Sequence, residues 1–257
     1  MTGLTKIDRV TARRVWDSRG RPTVEADVIL ENKSIGRAIA PAGTSTGSGE
    51  AVDLRDGGST LAGFDVTTAI DNIKSVISPA LSGLAALDQT TVDQTLLELD
   101  GTENKARLGG NAMIAVSMAT LHAAAQQQPL WQFLLGGKTP SIPLPEIQIF
   151  GGGAHARRRV DIQDFMIMPV GATSFVQALE WTAEVYHAAG TLMSDAGTLQ
   201  GIADEGGFWP AFQTNEEALD CLVKAIERAG YTPGEEVAIA LDVAATEFFR
   251  NGRYHLA

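Results

Sequence analysis

The hydrophobic period changes along this chain, and that change limits the folds open to it. Near the amino terminus Val24, Ala26, Val28 and Leu30 alternate with Glu25, Asp27 and Ile29, the period of a strand. Turn-forming residues precede that strand at Asp17-Ser18-Arg19-Gly20-Arg21-Pro22 and follow it at Glu31-Asn32-Lys33-Ser34, before Ile35 to Ala40. Three antiparallel strands are therefore expected. From Asp65 to about Gln128 the period becomes helical, with Val66, Ile70, Ile73 and Ile77 on one face and Val92, Leu96 and Leu99 on another. The Ala-rich run Ala112 to Ala125, interrupted by Ser117, Thr120 and His122, is shorter than the roughly 20 residues of a bilayer span and predicts a buried helix.

A Gly-, Pro- and Ser-rich stretch from Gly136 to Pro143 marks a domain boundary, so an α+β domain over residues 1–138 and a second domain over 139–257 are expected. In the second domain apolar runs (Phe165 to Val170, Val237 to Leu241) alternate with amphipathic helices near Phe175 to Met193 and Glu216 to Ala229. Such alternation predicts a parallel sheet with crossover helices. The residues beyond 143 are fewer than half of the about 250 that a closed eight-stranded barrel takes, so any barrel here is expected to be incomplete.

Lys plus Arg number 20 against 31 Asp plus Glu, a net charge of −11, which disfavours nucleic-acid phosphates and anionic lipid as partners. Cys221 is the single cysteine, which excludes an internal disulfide, and no Cys/His cluster has zinc-site spacing. Met1 to Val10 lacks the apolar run of a signal peptide, and a cytoplasmic setting is expected.

Three segments carry residues suited to chemistry. Pro41 to Glu50 is rich in glycine and hydroxyl side chains and reads either as a surface loop or as one that closes over an anion or metal. Gly151-Gly152-Gly153-Ala154-His155 follows an apolar run, setting an imidazole after pliable backbone; His155 reads equally as a structural histidine. Arg157-Arg158-Arg159 beside it is a local positive patch. Carboxylates fall at strand ends: Asp164, Asp204-Glu205 and Asp242. Alone, each could be a helix cap or a surface acid; together they point to a site at the strand ends of an α/β sheet, with Asp242 a hard-oxygen ligand suited to Mg²⁺.

These motifs, in this order, resemble the enolase family, the phosphopyruvate hydratases of glycolysis. The residues that carry the resemblance are Asp17-Ser18-Arg19-Gly20, Pro22-Thr23-Val24-Glu25, Ser45-Thr46-Gly47, Glu50-Ala51, Leu54-Arg55-Asp56, Leu99-Asp100-Gly101-Thr102, Asn104-Lys105, Gly152-Gly153-Ala154-His155-Ala156, Asp204-Glu205-Gly206-Gly207-Phe208 and Leu241-Asp242. The resemblance implies an α+β cap followed by the opening part of a modified TIM-type barrel. It implies a carbon-oxygen lyase that takes a proton from 2-phosphoglycerate, a small phosphorylated carboxylate, and expels hydroxide to leave phosphoenolpyruvate. Mg²⁺ would stabilise the ene-diolate of such a reaction. By resemblance Asp242 would ligate the first Mg²⁺, Ser45 would sit in a loop that closes on substrate and helps bind the second, and His155 would contact substrate. Glu205 would act on the departing hydroxyl as a general acid, and Asp164 would be a catalytic and substrate-binding carboxylate. The resemblance also implies a homodimer for the full-length protein.

The chain departs from the family pattern around that site. Asp164 stands where the family has Glu, Ala42 replaces a serine, Gly151 an asparagine, Arg157-Arg158 an Asp-Asn pair, Ala203 a glycine and Trp209 a small residue. No residues fill the positions of the family's catalytic lysine and remaining metal carboxylates, so a fragment of a longer enolase, inactive by itself, is expected. Two further readings stay open: a divergent lyase acting on another phosphorylated or phosphonate carboxylate, and a non-catalytic binding protein.

Overall fold

Alternation in the amino-terminal segment becomes a three-stranded antiparallel meander, β1 (Ile7–Trp16), β2 (Pro22–Leu30) and β3 (Ile35–Ala40), with β2 in the middle. The computed structural model describes residues 5–43, 46–126, 128–153, 160–203 and 205–256. These form two compact units, one built from residues up to 43 and from 49 to 140, the other chiefly from residues 141 onward.

In the first unit Val24, Ala26, Val28 and Leu30 point to a core from which water is excluded completely. Burying side chains of this size contributes roughly 1.5–3 kcal/mol for each Val or Leu. The opposite face of β2 carries Glu25 and Asp27, and its neighbours supply cations at matching register: Arg13 on β1 opposite Glu25, and Arg37 on β3 opposite Asp27. Arg37 grips Asp27 with two bonds of 2.6 and 3.0 Å. That bond, and then the Arg37 and Arg13 charges, hold the Asp27 carboxyl below its usual range.

Helical periodicity resolves into α1 (Thr67–Asn72), a five-residue π turn at Ile73–Ile77 and α2 (Ser78–Leu81), followed by α3 (Gln89–Asp100), α4 (Gly110–Ala125) and α5 (Leu130–Leu135). Ile70, Ile73 and Ile77 all reach the core, as their spacing predicts. The Ala-rich run is the buried helix α4, which lies on β2 and β3. Its alanines permit a very close approach. A methyl added at Gly36 on β3 would stand 2.7 Å from the Ala123 Cα and closer still to the Ala119 carbonyl and the Ala123 amide.

Loops in this unit are pinned by carboxylates. Asp56 accepts from the Thr67 and Thr68 amides at 2.8 and 2.9 Å and so caps α1 from outside the helix. Asp100, 2% exposed, accepts from the Leu108 amide at 2.7 Å, the Thr102 amide at 3.0 Å and the Thr102 hydroxyl. Burial alone would raise the Asp100 carboxyl; the bonds from Thr102 and Leu108 outweigh it and hold the group below its ordinary value.

The second unit contains a five-stranded sheet in the order β6-β7-β4-β5-β8, formed by β4 (Ile147–Gly151), β5 (Asp164–Met168), β6 (Leu199–Ile202), β7 (Phe208–Pro210) and β8 (Ala238–Asp242). The expected parallel sheet is corrected here. Among the described strands of this sheet only β4 and β7 pair in parallel; β4–β5, β5–β8 and β6–β7 are antiparallel. β4 and β5 are joined by residues 152–163 alone, and β6 and β7 by a tight turn, whereas a parallel return usually needs a crossover helix. The sheet is open rather than closed into a barrel.

α6 (Phe175–Asp195) and α7 (Asn215–Arg228) cover one sheet face. Ser174 caps α6 through the Gln177 amide at 3.1 Å, and Thr214 caps α7 through the Glu217 amide at 3.2 Å. Val185, Ala189 and Met193 on α6 and Leu222, Ala225 and Ile226 on α7 meet Phe150, Phe165, Ile167 and Phe208. β9 (Phe249–Arg250) and β10 (Arg253–Tyr254) pair as a short hairpin. Among the described residues no helix is long and apolar enough to cross a membrane.

Candidate active site

Gln148 and Phe150 lie two residues apart in β4 and would share a face of a regular strand. A β-bulge between them changes the phase: Gln148 pairs with Met166, yet Phe150 pairs with Phe165. Ile149 and Phe150 both enter the core, and Gln148 is left on the opposite face. Asp164 occupies that face too, two residues before Met166. Register then brings Asp242 alongside, since Asp164 and Asp242 are direct partners across β5 and β8.

Two carboxylates facing each other across antiparallel strands repel. The surroundings relieve this by giving each a donor. Asp164, 6% exposed, accepts from the Gln148 side-chain amide on Oδ1 and from Gln163 Nε2 at 3.2 Å on Oδ2. Asp242 is exposed and turns Oδ1 to the Ala244 amide at 3.0 Å.

Gln148 makes a second contact. Its Oε1 accepts from the Gly207 amide at 2.8 Å. Gly207 closes the turn between β6 and β7, where the Ala203 amide donates to the Gly207 carbonyl at 2.7 Å and the Gly206 amide to the Ala203 carbonyl at 3.0 Å. Gly206 takes φ +96°, a conformation open to glycine. Gly207 is needed for space, because a methyl there would stand 2.8 Å from Gln148 Cδ and closer to Oε1. Glu205 rides exposed on this turn, and the Tyr186 hydroxyl steadies it with a 2.9 Å bond to the Gly206 carbonyl. Burial raises the Tyr186 phenol above its ordinary value.

The segment leading into β5 is also tied down. Asn215 Oδ1 accepts from the Asp161 and Ile162 amides at 3.0 and 3.2 Å, and its Nδ2 donates to Asp161 at 3.0 Å. The Gly152 amide donates to the Gln163 carbonyl at 2.6 Å, and a methyl at Gly152 would stand 2.7 Å from Val160 Cγ2. This close approach explains the glycines ahead of position 155.

Of the residues singled out from the sequence, Asp164 and Asp242 are brought side by side, and Glu205 lies on a turn joined to Asp164 through Gln148. Glu205 therefore belongs to a hairpin turn, not to the end of a parallel strand. Ser45, His155 and Arg157 lie outside the described residues. Sequence reasoning missed Gln148 and Asn215. The signal for Gln148 was available as the one amide inside the apolar run Ile147-Gln148-Ile149-Phe150.

Asp242 offers a carboxylate oxygen of the kind Mg²⁺ prefers. Among the described residues, however, no three His, Cys, Asp or Glu side chains converge as a metal cluster. The donor set fits such an ion in kind and not in number.

The second unit thus carries acids at adjoining strand ends of an open α/β sheet, and the first is a separate α+β unit. The enolase N-terminal domain matches residues 7–134, and the enolase C-terminal TIM barrel domain matches residues 139–257. The chain belongs to the enolase family. Members of that family are lyases that bind small phosphorylated carboxylates and generally use Mg²⁺.

Proposed function

We propose that the full-length protein acts as a phosphopyruvate hydratase, converting 2-phosphoglycerate to phosphoenolpyruvate and water in glycolysis, and that residues 1–257 by themselves are inactive. The observation that carries this reading is the pairing of Asp164 with Asp242 across β5 and β8, with the Glu205 turn linked to the same carboxylate. In this reaction a proton passes from the carbon next to the substrate carboxylate to the family's lysine base, whose position none of residues 1–257 fills, and the neighbouring hydroxyl leaves with a proton as water. Asp164, held by two side-chain amides, has its orientation set before substrate arrives, which lowers the cost of aligning it. Glu205 gives its proton to the departing hydroxyl, and its exposure on the turn leaves it reachable. By resemblance to the family, Ser45 and His155, which lie outside the described residues, would contact substrate. Asp242 and Ser45 would hold part of a Mg²⁺ ion, which when bound would supply positive charge next to the substrate carboxylate. A homodimer is the proposed assembly of the full-length protein.

A second reading is supported by Asp164 itself. Its arm is one methylene shorter than the family's Glu, and its carboxylate is committed to Gln148 and Gln163. A site altered in this way suits a different phosphorylated or phosphonate carboxylate. The test is Mg²⁺-dependent formation of phosphoenolpyruvate, followed by ultraviolet absorbance, with this chain and any longer natural product of its gene side by side. Turnover that falls by about 100-fold or more in Asp164→Asn and Glu205→Gln supports the hydratase. No turnover in either protein, with competition between Mg²⁺-dependent binding of phosphonate acids and 2-phosphoglycerate, supports the second reading. Absence of both sinks each of them.

A further inference from the structure

We infer that Gln148 is a positioning residue that fixes the Asp164 carboxylate and the Glu205 turn in one register; the inference rests on the hydratase reading for its catalytic meaning. A glutamine amide has two ends with opposite roles, and here both are used. Nε2 donates to Asp164 Oδ1, on the neighbouring antiparallel strand. Oε1 accepts from the Gly207 amide at 2.8 Å, on the turn that carries Glu205. One planar group thus spans β5 and the β6–β7 turn, and a shift of either is felt by the other.

Three observations make this more than an incidental contact. The β4 bulge turns Gln148 away from the core that takes Ile149 and Phe150, so an amide in an apolar strand reaches the polar face. Gly207 carries no side chain, so the Gln148 amide lies directly against the backbone of the turn. Phe150 and Phe208 pair across the parallel β4–β7 contact, which holds the strand bearing Gln148 level with the residue that follows Gly207. Asp164 is short for its place in this family, and a long glutamine arm on the adjoining strand meets it.

The test separates the two ends of the amide. Gln148→Glu keeps the acceptor for Gly207 and loses the donor for Asp164; Gln148→Met loses both; Gly207→Ala displaces the amide without altering either side chain. Hydrogen exchange of the Gly207 amide, read by NMR, is expected to be slow in the unmodified protein and in Gln148→Glu, and at least about tenfold faster in Gln148→Met. In the 2-phosphoglycerate assay on the longest natural product, all three variants are expected to lose about 10- to 100-fold in kcat, the range seen when supporting contacts of a reacting group are removed. KM should change far less, which a general loss of folding would not produce. The pair Gln148→Glu with Asp164→Asn exchanges donor and acceptor: it should restore the melting temperature while leaving turnover lost.

Equal Gly207 exchange in the unmodified protein and Gln148→Met overturns the linkage. Protection that depends on Gln148, together with unchanged kcat in all variants, overturns the positioning role. An unmodified protein without turnover counts against the hydratase reading, and the exchange pattern still judges the linkage.

Discussion

Gly36 is the point where α4 and β3 come closest, and replacing it with alanine tests whether this packing sets the stability of the first unit. A Cβ built there would stand 2.7 Å from the Ala123 Cα and would overlap the Ala119 carbonyl oxygen and Ala123 amide nitrogen, whereas ordinary contact begins at 3.4 Å. All three are backbone atoms, so no side chain can swing aside. The helix must retreat by about 1 Å, a gap that already forfeits a quarter to a half of each dispersion contact it loosens. Ala112, Ala115, Ala119 and Ala123 are fully or almost fully buried along α4 and would all be affected. Overpacking costs about 1–3 kcal/mol and sometimes more, and the rigidity of the obstacle argues for about 3 kcal/mol here. At roughly 2–4 °C per kcal/mol, the melting transition of the first unit should fall by about 6–12 °C. Circular dichroism during thermal and urea unfolding measures this, with Gly49→Ala as control because nothing lies within 4 Å of a methyl there. A loss below about 1 kcal/mol with the native spectrum retained would refute the steric argument.

Three other expectations follow from the same geometry. Asp100→Ala strands the buried Leu108 amide, while the exposed Thr102 donors can turn to water, and at about 1–3 kcal/mol for an unsatisfied buried group the urea midpoint should drop by an amount equivalent to about 2 kcal/mol. Asp27, Asp56 and Asp100 have carboxyls held below their ordinary value, so each stabilises the fold fully above the unfolded carboxyl pKa of about 3.9, and that stabilisation disappears as pH falls through the folded values. Melting temperature should be level above about pH 5 and decline below about pH 4; a decline that begins near neutrality would assign acid sensitivity to other groups. Burial raises the Cys221 thiol, against a partial pull downward from Lys224, so an aromatic disulfide reagent should react with it more slowly than with a peptide thiol until denaturant is added.

Much of the first unit was legible because its signals are local. Strand alternation, helical spacing and turn chemistry act over a few residues, and the meander, the Ile70-Ile73-Ile77 stripe and the alanine helix all follow from them. The motifs that single out the family divide into two kinds in space. Asp17, Asp56 and Asp100 hold backbone amides of turns and helix starts, so Asp17-Ser18-Arg19-Gly20, Leu54-Arg55-Asp56 and Asp100-Gly101-Thr102 are structural locks. Asp164 and Asp242 instead pair across β5 and β8, and Glu205 lies on a turn joined to Asp164 through Gln148. Their proximity depends on strand order, which pairs residues far apart in sequence and leaves no periodic trace. Reading the second unit as parallel failed for that reason: apolar runs announce strands but not their direction, and the short β6–β7 turn carries little hydrophobic signal. Gln148 was hidden because a bulge separates its face from that of Phe150, and alternation counted by residue number assigns both to the same side.

The bulge in β4 also makes that strand a place where length matters more than composition. Upstream of Ile149 even-numbered positions belong to the polar side; downstream an even-numbered position, Phe150, belongs to the oily one. Removing the single extra residue would keep every side chain's character and still exchange their destinations, offering phenylalanine to water or glutamine to the core. Substitutions in this strand can be weighed one at a time, whereas an insertion or deletion moves the whole frame, much as a shifted letter changes the sense of every word after it.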